Sequence, residues 1–235
     1  MLVAGFILLT VIIAALLVAG SFTISTSAIA DAGSRSAFRT RFVLFLCGWF
    51  AYITAMSFSG ILTVPGFPPR FPLLLVVPAF AFIGFFFVSG RFKNMIANTP
   101  EKWLIYFQSF RILVELLLYK ALLEGYVPRE ATFEGYNYDI VIGLAALVIP
   151  AIAFRGGQTN KPVLRLYNIA GLVTLTVVVF VFVTQFYFPG VWHKQPSDAP
   201  IVIARFPYAF LPGFLMPAAV FIHIYTLVRM RIDKA

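Results

Sequence analysis

Residues 103–125 read WLIYFQSFRILVELLLYKALLEG. A span of about 20 predominantly apolar residues crosses a bilayer as a helix, and this run is long enough, yet Arg111 and Glu115 stand in its middle. Four residues apart, they share one face of a helix, with Gln108 and Tyr119 extending the same stripe towards either end. A charged side chain in hydrocarbon costs from about 2.5 to more than 10 kcal/mol, so such groups face protein or water. The stripe is therefore expected to point inward, with Arg111 holding Glu115 or an anion and other helices closing around both.

Composition supports an integral membrane chain. Hydrophobic residues make up 61% of the 235 and charged residues only 11%, too little polar surface for a soluble domain of this size. The length suits one helical bundle over 1–235. The 27 phenylalanines fit lipid contact and interhelical packing, and the single Cys47 rules out an internal disulfide. The net charge of +9 raises the question of nucleic acid, but the cations lie in short clusters at the ends of apolar runs. That pattern marks membrane orientation and contact with anionic head groups, not a nucleic-acid surface.

Around the central run the chain divides into further apolar stretches at about 2–24, 42–63, 73–90, 138–154, 163–188 and 206–228. The expectation is an all-α bundle of seven transmembrane helices. No cation precedes the first stretch, so it reads as a retained span and not a signal peptide. Thr99 before Pro100 and Glu101 reads as a helix N-cap. Pro207, Pro212 and Pro217 should bend the last helix and free backbone carbonyls, Pro150 should kink the fifth, and the third stretch contains Pro78. The connections after the first, third and fifth stretches and the C-terminal tail carry twelve of the eighteen Lys and Arg, and the opposite side carries five. This places the N-terminus outside and the C-terminus in the cytoplasm.

Beside Arg111 and Glu115, two polar residues are candidates for the same interior. His223, in the last stretch, lies at comparable depth, and Asn168 opens the sixth stretch from the inner side. A neutral histidine there suits a second proton site, a single axial haem ligand, or a structural hydrogen bond. Between 126 and 139 lie Glu130, Glu134, Asn137 and Asp139. With His193 or Asp198 they form an outer-face acidic cluster open to a cation, or simply a solvated loop with a helix cap. Several chemistries are absent: no Walker A, Gly-x-Ser-x-Gly or HExxH motif occurs, two histidines preclude a three-histidine metal site, and the last stretch has no lysine for a retinal Schiff base.

Residues 110–140, FRILVELLLYKALLEGYVPREATFEGYNYDI, and 206–227, FPYAFLPGFLMPAAVFIHIYTL, resemble two segments of bacterial seven-helix membrane proteins without an assigned activity. The resemblance implies that Arg111, Glu115, Glu134, Asp139 and His223 act as a group, in a bacterial inner membrane. The leading expectation is a buried polar site, built from Arg111, Glu115, His223, Gln108, Tyr119 and Asn168, that binds or passes a small ion, a proton or a polar solute. The alternatives are haem or another lipophilic cofactor held through His223, and an intramembrane enzyme acting on lipid with Glu115 and His223 as acid and base. Membrane lipids are the expected partners, and a homo-oligomer stays open.

Overall fold

Helix α1, Leu2–Ala28, carries no charge and no proline, and its hydroxyls turn back onto its own carbonyls, as Thr10 does onto Phe6 at 2.7 Å. A computed structural model describes residues 1–64, 66–195 and 200–232; Pro65, Pro196, Asp198 and Lys234 lie outside them. The described residues are helical with no strand. Helix α2, Ala32–Phe58, starts at Asp31, whose carboxylate accepts the Ser34 amide at 2.6 Å. Arg35, Arg39 and Arg41 therefore lie on a helix and not in the connection expected from their polarity. Arg39 reaches across to α1, donating to the Phe22 carbonyl at 2.7 Å and to the Ser25 hydroxyl at 2.9 Å.

Next come α3 (Val77–Val88, entered through a π turn at Pro72–Val76), α4 (Lys93–Ala97), α5 (Glu101–Phe107) and α6 (Phe110–Leu123). They are followed by α7 (Asp139–Ala153), α8 (Lys161–Tyr187) and α9 (Met216–Ile232, entered through a π turn at Leu211–Leu215). Four segments are long and apolar enough to cross a membrane: α1, α2, α8 and Leu211–Ile232; Pro72–Val88 and Asp139–Ala153 are shorter apolar helices. The last of the four is central, with 78% of its most apolar window buried against 17% for α2.

The run 103–125 is not one helix. It breaks after Phe107 into α5 and α6, through a tightened turn in which the Arg111 amide donates to Gln108 and that of Ile112 to Ser109. The Thr99 hydroxyl does not cap α5: it donates to the Met95 carbonyl at 2.8 Å and meets the Tyr225 hydroxyl at 2.7 Å.

The prolines have a legible consequence. Proline lacks the N–H that would bond the carbonyl four residues earlier, so Pro78 frees Leu74 and Pro217 frees Gly213. Both carbonyls take a donor from α2: the Tyr52 hydroxyl reaches Leu74 at 2.8 Å, and the Trp49 indole reaches Gly213 at 2.9 Å. One face of α2 thus docks on the two π-turn entries, with Phe50 packed edge-on against Phe210 and Phe214.

Helices α6 and α7 approach closely at Gly143, where a Cβ would stand 2.9 Å from the Ile112 amide and 3.4 Å from the Arg111 Cβ. Between them, residues 124–138 do not stay at the surface. Val127, Ala131, Thr132 and Asn137 are all buried, so this connection folds inward and delivers the start of α7 to the start of α6.

Candidate buried charge network

Arg111 and Glu115 lie one turn apart on α6, 2% and 1% exposed. They do not pair with each other. Arg111 takes Asp139, the first residue of α7: Nε donates to Oδ2 at 3.1 Å and Nη2 to Oδ1, a fork-to-fork contact with both carboxylate oxygens. Nη1 donates to His223 Nε2 at 2.8 Å, and Nη2 also meets the Thr174 hydroxyl at 2.9 Å. That hydroxyl gives its own proton to the Gly171 carbonyl. One guanidinium thus ties together α6, α7, α8 and α9.

The donor logic fixes the histidine. A guanidinium only donates, so His223 Nε2 accepts and Nδ1 carries the proton, which goes to Asn168 Oδ1 at 2.9 Å. Asn168 passes its own amide hydrogen to Leu164 at 2.7 Å. His223 is therefore neutral with both ring nitrogens engaged. Its ring fills a notch at Gly171, where a Cβ would stand 2.1 Å from Nε2.

Glu115 is held differently. Its Oε1 accepts from Asn137 Nδ2 at 2.7 Å, while the same amide donates to the Ala131 carbonyl and Asn137 Oδ1 accepts the Asp139 amide. Asn137 is thus the clasp that folds the 124–138 connection inward and sets Asp139 at the start of α7. Glu115 Oε2 is buried without a hydrogen-bond partner among the described residues. It lines a crevice of about 50 Å³, whose wall among the described residues is otherwise apolar apart from Arg111 and Asp139 and includes Val114, Leu118, Leu175, Phe182 and Leu215. Gln108, fully buried, donates to the Ala219 carbonyl at 3.0 Å and leaves its Oε1 unpartnered in the same way.

The geometry thus brings Arg111, Asn168 and His223 into one bonded chain and sets Glu115 beside it. Asp139, Asn137 and Thr174 complete the group, the first two buried in the interior and not part of a solvated acidic cluster. Tyr119 does not join: it is half-buried with its ring 5.0 Å from Phe133. The outer acidic cluster is divided, with Asn137 and Asp139 in the interior, Glu134 exposed beside Arg129 at 3.5 Å, and Glu130 bound by Lys194 at 2.9 Å. No group of three His, Cys, Asp or Glu among the described residues forms a metal set.

The Glu130 contact fastens the 124–138 connection to the loop after α8, because Lys194 also donates to Gln185 Oε1 at 3.3 Å. Partial burial pushes the Glu130 carboxyl up, but the Lys194 hydrogen bond and the nearby Lys194 and Arg129 charges outweigh it and hold it below its ordinary value. A depressed acid stabilises the fold above its unfolded value and loses that contribution as pH falls through the folded one. The contact should hold at neutral pH and release below about pH 4.3. Trp192 sits beside it, its indole bonded to Thr184. Acid titration of tryptophan emission should therefore show a step below that pH in the wild type that Glu130→Gln lacks. An identical step in both would detach it from this contact.

No curated protein and no solved structure matches the chain. A family model described as Domain of unknown function (DUF8737) matches residues 68–231, which contain every member of the network from Gln108 to His223, and the chain belongs to that family.

Proposed function

We propose that the protein is a seven-span bundle of a bacterial inner membrane, N-terminus outside and C-terminus in the cytoplasm, whose Glu115 binds and passes a proton or a small cation. The four long apolar segments, the two shorter apolar helices and the α5–α6 pair supply seven crossings, and the excess of Lys and Arg on alternate connections supports the orientation. Helix α7 has 15 residues, or about 22 Å at 1.5 Å per residue, short of a hydrocarbon core about 30 Å thick. The buried 124–138 connection then occupies the missing outer depth. Irregular backbone is tolerated at such depth only where protein or a cavity surrounds it.

One observation carries the reading: Glu115 is 1% exposed, with one oxygen held by Asn137 and the other free at the crevice. With His223 neutral, the formal charges are one cation, Arg111, and two anions, Asp139 and Glu115. The bidentate pair cancels Arg111 against Asp139, which leaves Glu115 to be balanced by a positive guest. The crevice of about 50 Å³ admits a few water-sized guests, each needing about 10–15 Å³. That favours a proton with water, or a small monovalent cation, over a large solute.

Arg111 lies between His223 and Asp139, and a guanidinium only donates hydrogen bonds, so the network is a clamp and not a proton wire. The relay passes through Glu115 alone, without His223 as a second proton site. Haem at His223 finds no support, because Nδ1 carries the proton given to Asn168 and the Nε2 lone pair is engaged by Arg111. An acid–base pair of Glu115 and His223 acting on lipid loses its base to the Arg111 hydrogen bond.

Liposomes containing the purified protein and a pH-sensitive dye test this under imposed proton, sodium and potassium gradients. Wild-type vesicles should dissipate one of them. Glu115→Gln should slow that by about tenfold or more, since a neutral amide has no charge to exchange where hydrocarbon offers no substitute. The Gln side chain still accepts from Asn137, so the fold persists. Equal flux from Glu115→Gln and wild type would remove the assignment.

A further inference from the structure

At the inner end of α8 and α9, away from the network, a second cavity of about 410 Å³ is lined by Lys161, Arg165 and Ile169 of α8 and by Leu227, Met230 and Arg231 of α9. Among the described residues that line it, three are cations and none is an acid. We propose that this groove is a binding site for an anionic phospholipid, with the phosphate held by Arg165 and Arg231 and the upper acyl chain lying on Ile169 and Leu227. The site stands whether or not Glu115 conducts.

The argument is one of register. Arg165 and Ile169 are four residues apart on α8, as are Leu227 and Arg231 on α9, so each helix presents a cation and an aliphatic side chain on one face. The two lie about 6 Å apart along the axis. α8 begins at this end and α9 finishes here, so on both helices the cation is the terminal member and the aliphatic residue lies one turn deeper. A phospholipid has the same order, with charge outermost and hydrocarbon beneath it. Arginine suits phosphate because its planar fork meets two oxygens at once. Basic pockets between helices at the cytoplasmic face recognise such head groups.

A free phosphate would use the cations but leave Ile169, 47% exposed, uncovered. A second copy docking the same face in a two-fold dimer would bring like charges together.

Native mass spectrometry of the delipidated full chain in detergent tests the occupant. Dioleoyl phosphatidylglycerol, dioleoyl phosphatidylcholine and inorganic phosphate are titrated separately. The wild type should retain phosphatidylglycerol about tenfold more tightly than phosphatidylcholine. With each cation near the surface worth about fivefold, Arg165→Gln with Arg231→Gln should weaken phosphatidylglycerol by about twenty- to thirtyfold. Arg91→Gln with Lys93→Gln, on another inner connection, should leave it unchanged. Leu227→Asn should weaken the lipid without altering the response to phosphate. Melting followed by circular dichroism confirms that the variants fold; Arg165 and Arg231 are exposed, so their loss leaves the core intact. Equal retention of the two lipids, displacement of phosphatidylglycerol by equimolar phosphate, or an equal loss in the Arg91 and Lys93 control would each overturn the proposal.

Discussion

Replacing Arg111 by methionine should destabilise the protein by about 3–5 kcal/mol, because it strands Asp139 as a buried charge without its partner. Methionine keeps most of the aliphatic volume, so the loss reports charge and hydrogen bonding. Asp139 is 5% exposed, and among the described residues its side chain is hydrogen-bonded by the guanidinium alone. His223 Nε2 and the Thr174 hydroxyl lose their donor in the same step. Reversible unfolding in mixed detergent micelles measures the change. A variant as stable as the wild type would mean that the guanidinium is solvated and not clamped.

A double-mutant cycle identifies the partner. Asp139→Asn alone should also be costly, since it leaves Arg111 as the unbalanced charge. Combined with Arg111→Met it should cost much less than the sum, with a coupling of at least 1–3 kcal/mol, as for residues sharing one buried pair. Glu115→Gln with Arg111→Met should couple more weakly, because no hydrogen bond joins them. The reverse ranking would restore the direct Arg111–Glu115 pair that their spacing suggests.

That contrast shows what the residues reveal and where they stop. The apolar runs mark the helices because hydrophobicity is local, and a charge inside one marks an inward face because hydrocarbon penalises it. Partners are another matter. Those of Arg111 lie 28, 63 and 112 residues away, and no local period encodes such distances. Asp139 follows directly on a connection whose Glu, Asn and Tyr content reads as solvated. Only the Asn137 clasp, bonded to Glu115 and Ala131 at once, turns that connection inward. The break after Phe107 has neither proline nor glycine to announce it. The freed carbonyls at Leu74 and Gly213 are predictable from Pro78 and Pro217, but not that Tyr52 and Trp49 of α2 would meet them. Asn137 two residues before Asp139, at the head of an apolar run, marks a helix start, but nothing local says that both side chains are buried.

Gly171 gives the sharpest test of the network because two effects oppose each other there. Alanine in place of glycine inside a helix normally gains up to about 1 kcal/mol, and Gly171 lies within α8. Propensity alone therefore predicts a more stable protein. The new methyl, however, would stand 2.1 Å from His223 Nε2 and 2.3 Å from Cε1, well inside van der Waals contact. The ring cannot easily retreat, since Arg111 holds one nitrogen and Asn168 the other. Overpacking costs about 1–3 kcal/mol or more, and the broken Arg111–His223 bond adds to it, so Gly171→Ala should be net destabilising by about 2 kcal/mol. In a His223→Ala background the notch is vacant and the same substitution should become neutral or stabilising. This reversal of sign, read from unfolding curves of the four proteins, depends on the ring sitting against Gly171. If Gly171→Ala stabilises both backgrounds equally, His223 lies elsewhere and the bonded chain from Asp139 to Asn168 is broken at its centre.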